Sequence, residues 1–272
     1  MKTNNDRIIS LAPLTVLPCS PVQQIDVAAA SGFNAVSLRL LPVMESDIDV
    51  MADKALQAAI EQHLSTTGLR VLDVEVARAT SALDVPALIP TLEFAGSIGA
   101  QRFAITAEAE GYYDAATEAG VVRRIAELCE AGERFGVGVM LEFMAYRSIR
   151  SLEHAANIVA TVGHPGLGIT IDALHLFRSG GTAKDILGIP RQALACVQLC
   201  DAPAAAPSDL AGEARSGRLY PGDGDLPLGE LLRALPSDLP ISIEVPATEN
   251  ASMTVLERAT RAAASLQPLV SA

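Results

Sequence analysis

The sequence predicts an α/β fold, an eight-stranded (β/α)8 TIM barrel, and three observations carry that expectation. Short apolar runs rich in Val, Ile and Leu alternate with helical stretches at about the 30-residue period of a βα unit. The runs are nearly continuous in apolar residues rather than alternating, as in parallel strands covered by helices on one side. The first turn, Pro13-Leu14-Thr15-Val16-Leu17-Pro18, has no glycine, whereas a doubly wound open sheet usually carries a Gly-rich first turn.

The elements follow in order. The first strand is IISLAPL from Ile8, and the first helix opens at Ser20-Pro21, an N-cap followed by proline, and closes at Gly32. AVSLRL is the second strand, and a helix over about 51–67 stops at Gly68. RVLDVEVA, RFAIT and GVMLEF are strands three to five. The helices after the third and fourth strands cover about 85–98 and 115–135, and end at Gly99 and Gly136. A helix from Ser151 precedes Gly163-His164-Pro165, and GITIDAL is the sixth strand. A short helix follows Thr182. CVQLCD is the seventh strand, Leu228 to Leu235 a helix, ISIEV the eighth strand, and a last helix runs from about Ser252 to Leu266. That is eight strands and eight helices in strict alternation, one domain over 1–272. The longest irregular segment is 202–227, after the seventh strand, where a barrel places functional loops.

Composition narrows the partners. Half the residues are hydrophobic, enough for a large core, while the formal net charge of −12 argues against nucleic acid, whose phosphates call for clustered Lys and Arg. No apolar run reaches transmembrane length and MKTNNDRIIS lacks a signal-peptide pattern, so a cytoplasmic protein without membrane contact is expected. Cys19, Cys129, Cys196 and Cys200 lack the paired spacings of a zinc site and read as reduced, mostly buried thiols.

Four oxygen-bearing residues stand at the ends of predicted strands: Glu142, Asp172, Gln198 and Glu244. A lone carboxylate is costly to bury in such a run, so each needs a reason. In a barrel they converge at the C-terminal mouth, where three carboxylates and an amide carbonyl form a hard cage suited to one Mg²⁺ or Mn²⁺ ion. His175, in Asp-x-x-His, is expected to contact substrate or to orient a ligand rather than to bind metal itself. Arg218, in GRLYPGDG, is a candidate for a substrate or enolate oxygen, against a surface pairing with Asp223 or Asp225. Asp201 supports the metal or caps the loop. Arg39, Glu75 and Arg78 are substrate-contact candidates, and Tyr112-Tyr113 a candidate lid. His63, His154 and His164 read as structural or solvent-exposed.

GVMLEF, ITIDALH, VQLCDAP, GRLYPGDG and ISIEVP together resemble the xylose-isomerase-like TIM barrels, which include sugar and sugar-phosphate isomerases, ketose 3-epimerases and 3-dehydroshikimate dehydratases. The resemblance covers the barrel, with its specific motifs in the second half. It implies one divalent metal on Glu142, Asp172, Gln198 and Glu244, and substrate oxygens on His175 and Arg218. It implies a metal-dependent isomerase or epimerase acting on a hydroxy-ketone or sugar by proton transfer through an enediolate, with Glu142 and Glu244 passing protons and a homodimer as one expected assembly. Gln198 stands where most epimerases of the family have His and looks more like the dehydratase branch, yet VLDVEVARAT lacks that branch's Arg-Asp-Phe-Glu-Gly type motif. A lyase is therefore the alternative, and a non-catalytic binding barrel the next. An endonuclease of the three-zinc type needs more histidines than the four present.

Overall fold

The structure is a computed structural model that describes residues 7–44, 47–108 and 113–270. Eight parallel strands close into one barrel in sequence order: β1 (Ile9–Leu11), β2 (Ala35–Arg39), β3 (Arg70–Ala79), β4 (Arg102–Ala107), β5 (Gly138–Glu142), β6 (Leu167–Asp172), β7 (Leu194–Leu199) and β8 (Ile241–Ile243). Closure comes from β8 on β1, with Ile9, Ser10 and Leu11 opposite Ile241, Ser242 and Ile243. This is the (β/α)8 architecture expected from the apolar runs.

The helices wrap the outside and begin where side chains cap them. α2 (Pro21–Ala30) starts at Ser20, whose Oγ accepts from the Gln23 amide. α3 (Lys54–Thr67), α4 (Val85–Ser97) and α5 (Ala115–Glu133) start at Asp53, Asp84 and Asp114 in the same way. α6 (Leu152–Val162) starts at Ser151 and stops at Gly163, whose φ of 63° closes the helix in a left-handed conformation that glycine adopts without strain.

Strict alternation of eight helices does not hold. Eleven α-helices occur among the described residues. One additional turn is α1 (Pro13–Val16), begun by a proline at its first position, where no amide donor is needed. A second is α7 (Ala173–Arg178), which starts directly on the last residue of β6 and precedes α8 (Ala183–Ile186). The third, α9 (Leu210–Ser216), lies inside the segment expected to be irregular and is capped by Asp209. α10 (Leu228–Ala234) and α11 (Val255–Val270) complete the ring. No described helix is long and apolar enough to cross a membrane.

Side chains alternate across each strand, so one residue in two faces the barrel axis. The register sets inward residues of neighbouring strands side by side: Thr106 opposite Glu142, Glu142 opposite Thr170, Asp172 opposite Gln198 and Gln198 opposite Ser242. Two positions earlier on β5 and β7, Met140 and Cys196 form part of a buried apolar layer with Ile8, Ala35, Leu72, Ala104 and Ala195. Cys196 Sγ lies 3.7 Å from Met140 Sδ there. Met140 and Ala104 of this layer also line the cavity at the mouth.

Candidate metal centre

Glu142 and Asp172 are the last residues of β5 and β6, Gln198 is next to last in β7, and Glu244 follows β8 directly. The inward alternation gathers all four at the C-terminal end of the barrel, where Glu142, Gln198 and Glu244 line a cavity of about 350 Å³ and Asp172 is buried behind them. Asp172 also caps α7: its Oδ1 accepts the His175 amide at 3.0 Å. That local bond accounts for the Asp-x-x-His spacing, because a cap three residues ahead of His175 fixes where α7 begins and leaves the imidazole buried beside Glu142.

His175 Nε2 lies 3.8 Å from Glu142 Oε1. One donor atom from each of Glu142, Asp172 and His175 falls within 4.8 Å of the others, a group able to hold a metal ion. The structure thus brings His175 nearer to Glu142 and Asp172 than its expected role beside a ligand required. The Tyr146 ring meets the imidazole edge-on, with centroids 5.5 Å apart.

Arg218 reaches the same point from the loop after β7. Its Nη1 donates to Asp172 Oδ2 at 2.6 Å and stands 3.2 Å from Glu244 Oε2. The surface pairing with Asp223 or Asp225 does not occur: Asp223 pairs with Arg261 at 2.8 Å, and Asp225 Oδ2 accepts the Ala204 amide. Arg218 Nε donates to the Ala214 carbonyl of α9, and α9 is tied to α7 by a two-pronged pair, Arg178 Nε to Glu213 Oε2 at 2.8 Å and Arg178 Nη2 to Glu213 Oε1 at 2.7 Å. The helix that sequence reasoning missed therefore positions the guanidinium. Asp201 serves the loop: its carboxylate accepts the amides of Ala202, Gly222 and Leu226.

Burial and like charge set the protonation of the cluster. Glu142 is pushed well above the ordinary carboxylate range by burial, then by the charges of Glu244 and Asp172. Burial raises Glu244 to about 7, with Arg218 opposing it. Burial would raise Asp172 too, but Arg218, His175 and the hydrogen bonds from both hold it below its ordinary value. Burial lowers His175 to about 4, so the imidazole is neutral and its nitrogen lone pair is free to ligate.

Thirteen buried side-chain atoms among the described residues have no hydrogen-bond partner, and three of them, Glu142 Oε1, His175 Nε2 and Gln198 Oε1, fall in this cluster. Buried polar atoms are satisfied almost everywhere in native proteins, so three such atoms in one cluster with Asp172 and Glu244 fit a divalent cation. The set mixes carboxylate, amide oxygen and imidazole, which suits Mn²⁺, Co²⁺ or Zn²⁺ as well as Mg²⁺.

Arg39 and Glu75 also line the mouth, but they meet each other: Arg39 Nη2 donates to Glu75 Oε2 at 3.0 Å, while Nη1 donates to Asp47 Oδ2 at 3.2 Å. The remaining histidines stand apart, His63 on Asp26, His154 on Glu118 and His164 near Glu133. Tyr112 lies outside the described residues, and Tyr113 packs edge-on against His154 rather than over the mouth. Thr106, Tyr146 and Arg147 line the mouth and escaped sequence reasoning. The signal available for the last two was their place on the loop directly after the β5 glutamate.

Residues 25–269 match the sequence profile described as xylose isomerase-like TIM barrel. The chain belongs to that family. Among its curated relatives is a 3-dehydroshikimate dehydratase of Pseudomonas putida, 31% identical over 103 residues that make up 38% of this chain and 16% of the relative. The chain thus spans about one sixth of that protein's length. Its fold is similar to that of the IolI protein solved with a zinc atom, with a TM-score of 0.81 at 17% identity, covering 97% of this chain and 98% of that one. A D-allulose 3-epimerase from Methylomonas sp., solved in complex with D-allulose, has a TM-score of 0.75 at 16% identity, covering 97% of each chain. The curated relative is thus named for a dehydration and one of the similar folds for an epimerisation.

Proposed function

We propose that the chain is a divalent-metal-dependent isomerase or epimerase that moves a proton at a carbon next to a carbonyl of a sugar-like substrate. The observation that carries this reading is the cluster of unpartnered buried donors, Glu142 Oε1, His175 Nε2 and Gln198 Oε1, beside Asp172 and Glu244. Glu142, Asp172, Gln198 and Glu244 would hold the ion, with His175 available as a further ligand. A divalent ion at that point supplies the positive charge that stabilises a developing enediolate.

The protein's own groups do the rest. Glu142 and Glu244 come from strands three apart around the barrel, so they reach a substrate in the mouth from different sides. One takes the proton from carbon and the other returns one to the opposite face, which inverts the centre. Arg218, held by Asp172 and the Ala214 carbonyl, presents a fixed positive charge to substrate oxygen at the same edge.

The second reading is a lyase: if a β-hydroxyl leaves after proton removal, the same two glutamates dehydrate rather than epimerise. The likeness to the P. putida dehydratase and the presence of Gln198 favour it. The test is to load the protein with Mn²⁺, Mg²⁺, Co²⁺ or Zn²⁺ and follow ketoses by proton NMR in D₂O and 3-dehydroshikimate by ultraviolet absorbance. Deuterium incorporation with a new epimer supports the first reading and a new conjugated absorbance the second. Neither on any substrate, with metal bound, leaves a binding barrel.

A further inference from the structure

Five arginines line the mouth of a chain whose formal net charge is −12: Arg39, Arg78, Arg147, Arg215 and Arg218. They are not equivalent. Arg39 is paired with Asp47 and Glu75, and Arg218 with Asp172 and Glu244. Arg78, Arg147 and Arg215 make no ion pair with a described residue, and Arg215 stands exposed on α9. Arg78 and Arg147 are close enough to act on each other: burial and then the charge of Arg147 pull Arg78 below its ordinary value, with Glu108, Tyr146 and Glu142 opposing. Arg147 Nε is buried and has no hydrogen-bond partner, and its guanidinium lies 5.5 Å over the Tyr146 ring. Holding two like charges together on a partly buried wall is unfavourable unless something negative resolves them.

Their placement relative to the metal cluster is fixed by the fold. Arg78 on β3 stands opposite Thr106 on β4, which stands opposite Glu142 on β5. Arg147 follows β5 by five residues, and its loop is secured by two amide bonds, Arg147 to the Met144 carbonyl at 2.8 Å and Ser148 to the Glu108 carbonyl at 3.2 Å. The Tyr146 ring neighbours both the Arg147 guanidinium and the His175 imidazole, each 5.5 Å from its centroid. Arg78 and Arg147 therefore flank the β3–β5 side of the mouth, while Arg218 and Glu244 occupy the β7–β8 side.

We propose that Arg78 and Arg147 form an anion-binding subsite, so that the substrate is a hydroxy-carbonyl compound carrying a carboxylate or phosphate group away from the reacting carbonyl. This rests on the reading that the reaction takes place at Glu142, Asp172, Gln198 and Glu244. The guanidinium is planar, always charged and matched in geometry to both oxyanions, and a pair of them selects against a neutral sugar of the same skeleton.

The test is titration calorimetry of the metal-loaded protein with three probes that share a skeleton: D-fructose, D-fructose 6-phosphate and D-fructuronate. At least one anion is expected to bind tenfold or more tighter than D-fructose, and which anion does so separates phosphate from carboxylate. In Arg78→Met and in Arg147→Met that advantage should fall below about threefold, while Arg78→Lys, which keeps the charge, retains part of it. Neither arginine pairs with a described residue, so methionine should leave the fold intact, and thermal melts check that it does. A neutral sugar that binds as tightly as both anions, an anion advantage that survives in both methionine variants, or no binding of either anion overturns the proposal. Metal content measured on the same samples keeps the two readings apart. A metal-loaded protein indifferent to ligand charge overturns only the anion subsite, and a metal-free protein that still holds anions through these arginines overturns only the metal site.

Discussion

Arg218 and Asp172 form a buried ion pair, Nη1 to Oδ2 at 2.6 Å, with side chains 2% and 0% exposed. Each group has a second commitment, Asp172 to the His175 amide and Arg218 to the Ala214 carbonyl. The pair therefore joins β6, α7 and α9 at the mouth, and it holds one carboxylate ionised in a cluster where burial drives the others toward protonation.

Arg218→Met should lower stability by about 3–5 kcal/mol, because it leaves the Asp172 charge buried without its partner. Denaturant unfolding monitored by circular dichroism measures this. Arg218→Lys should recover only part of the loss, since a single ammonium cannot serve Asp172, Glu244 and Ala214 together.

Glu142→Gln keeps the shape of the side chain and removes its charge and its capacity to take a proton. On a confirmed substrate, kcat should fall by about 100-fold or more. Full activity in this variant would remove Glu142 from the proposed chemistry.

Asp201 closes the loop after β7 by accepting three amides, and Gly224 passes so close that a Cβ there would meet Asp201 Oδ1 at 2.5 Å. Asp201→Ala leaves those donors without an acceptor and should cost about 3 kcal/mol. Gly224→Ala should weaken the same loop. Both are expected to raise KM more than they lower kcat, because the loop carries Arg218 but neither glutamate.

Asp73 lies in the barrel interior beneath the mouth. One oxygen accepts from Ser37 Oγ at 2.6 Å, and the other, buried, has no hydrogen-bond partner. Burial, then the nearby Glu75 charge, raises its pKa well above the ordinary range. A raised carboxyl pKa favours the folded state while the group is protonated, and that contribution is lost as pH climbs from the unfolded value, about 4, through the folded one. Wild-type stability should therefore decline over that interval toward alkaline pH. Asp73→Asn should flatten the decline and melt higher at pH 8, as thermal melts at pH 5 and pH 8 would show.

The barrel was legible because each strand is a separate apolar run with a helix behind it, so local periodicity sufficed. The convergence of Glu142, Asp172, Gln198 and Glu244 was legible for a related reason: they interrupt those runs at the end that a barrel turns toward its mouth. Partners across the chain were not legible. Arg218 has acidic residues five and seven positions away in Asp223 and Asp225, yet it pairs with Asp172 and Glu244 because α9 folds the loop back over β6 and β8. α9 itself was hidden, since a seven-residue helix has little periodicity and its stability comes from the Asp209 cap and the Arg178–Glu213 pair. Arg39 and Glu75 were read as separate substrate contacts, and only their register on β2 and β3 shows that they face each other.

The most direct test of the metal centre is the metal content of the purified protein after dialysis against Mn²⁺, Mg²⁺, Co²⁺ and Zn²⁺, beside Gln198→Ala treated in the same way. One equivalent of a divalent ion in the wild type, retained more weakly or lost in the variant, is the expected result. A wild-type protein that retains none of the four ions would contradict the site, and the proton-transfer chemistry assigned to Glu142 and Glu244 would fall with it.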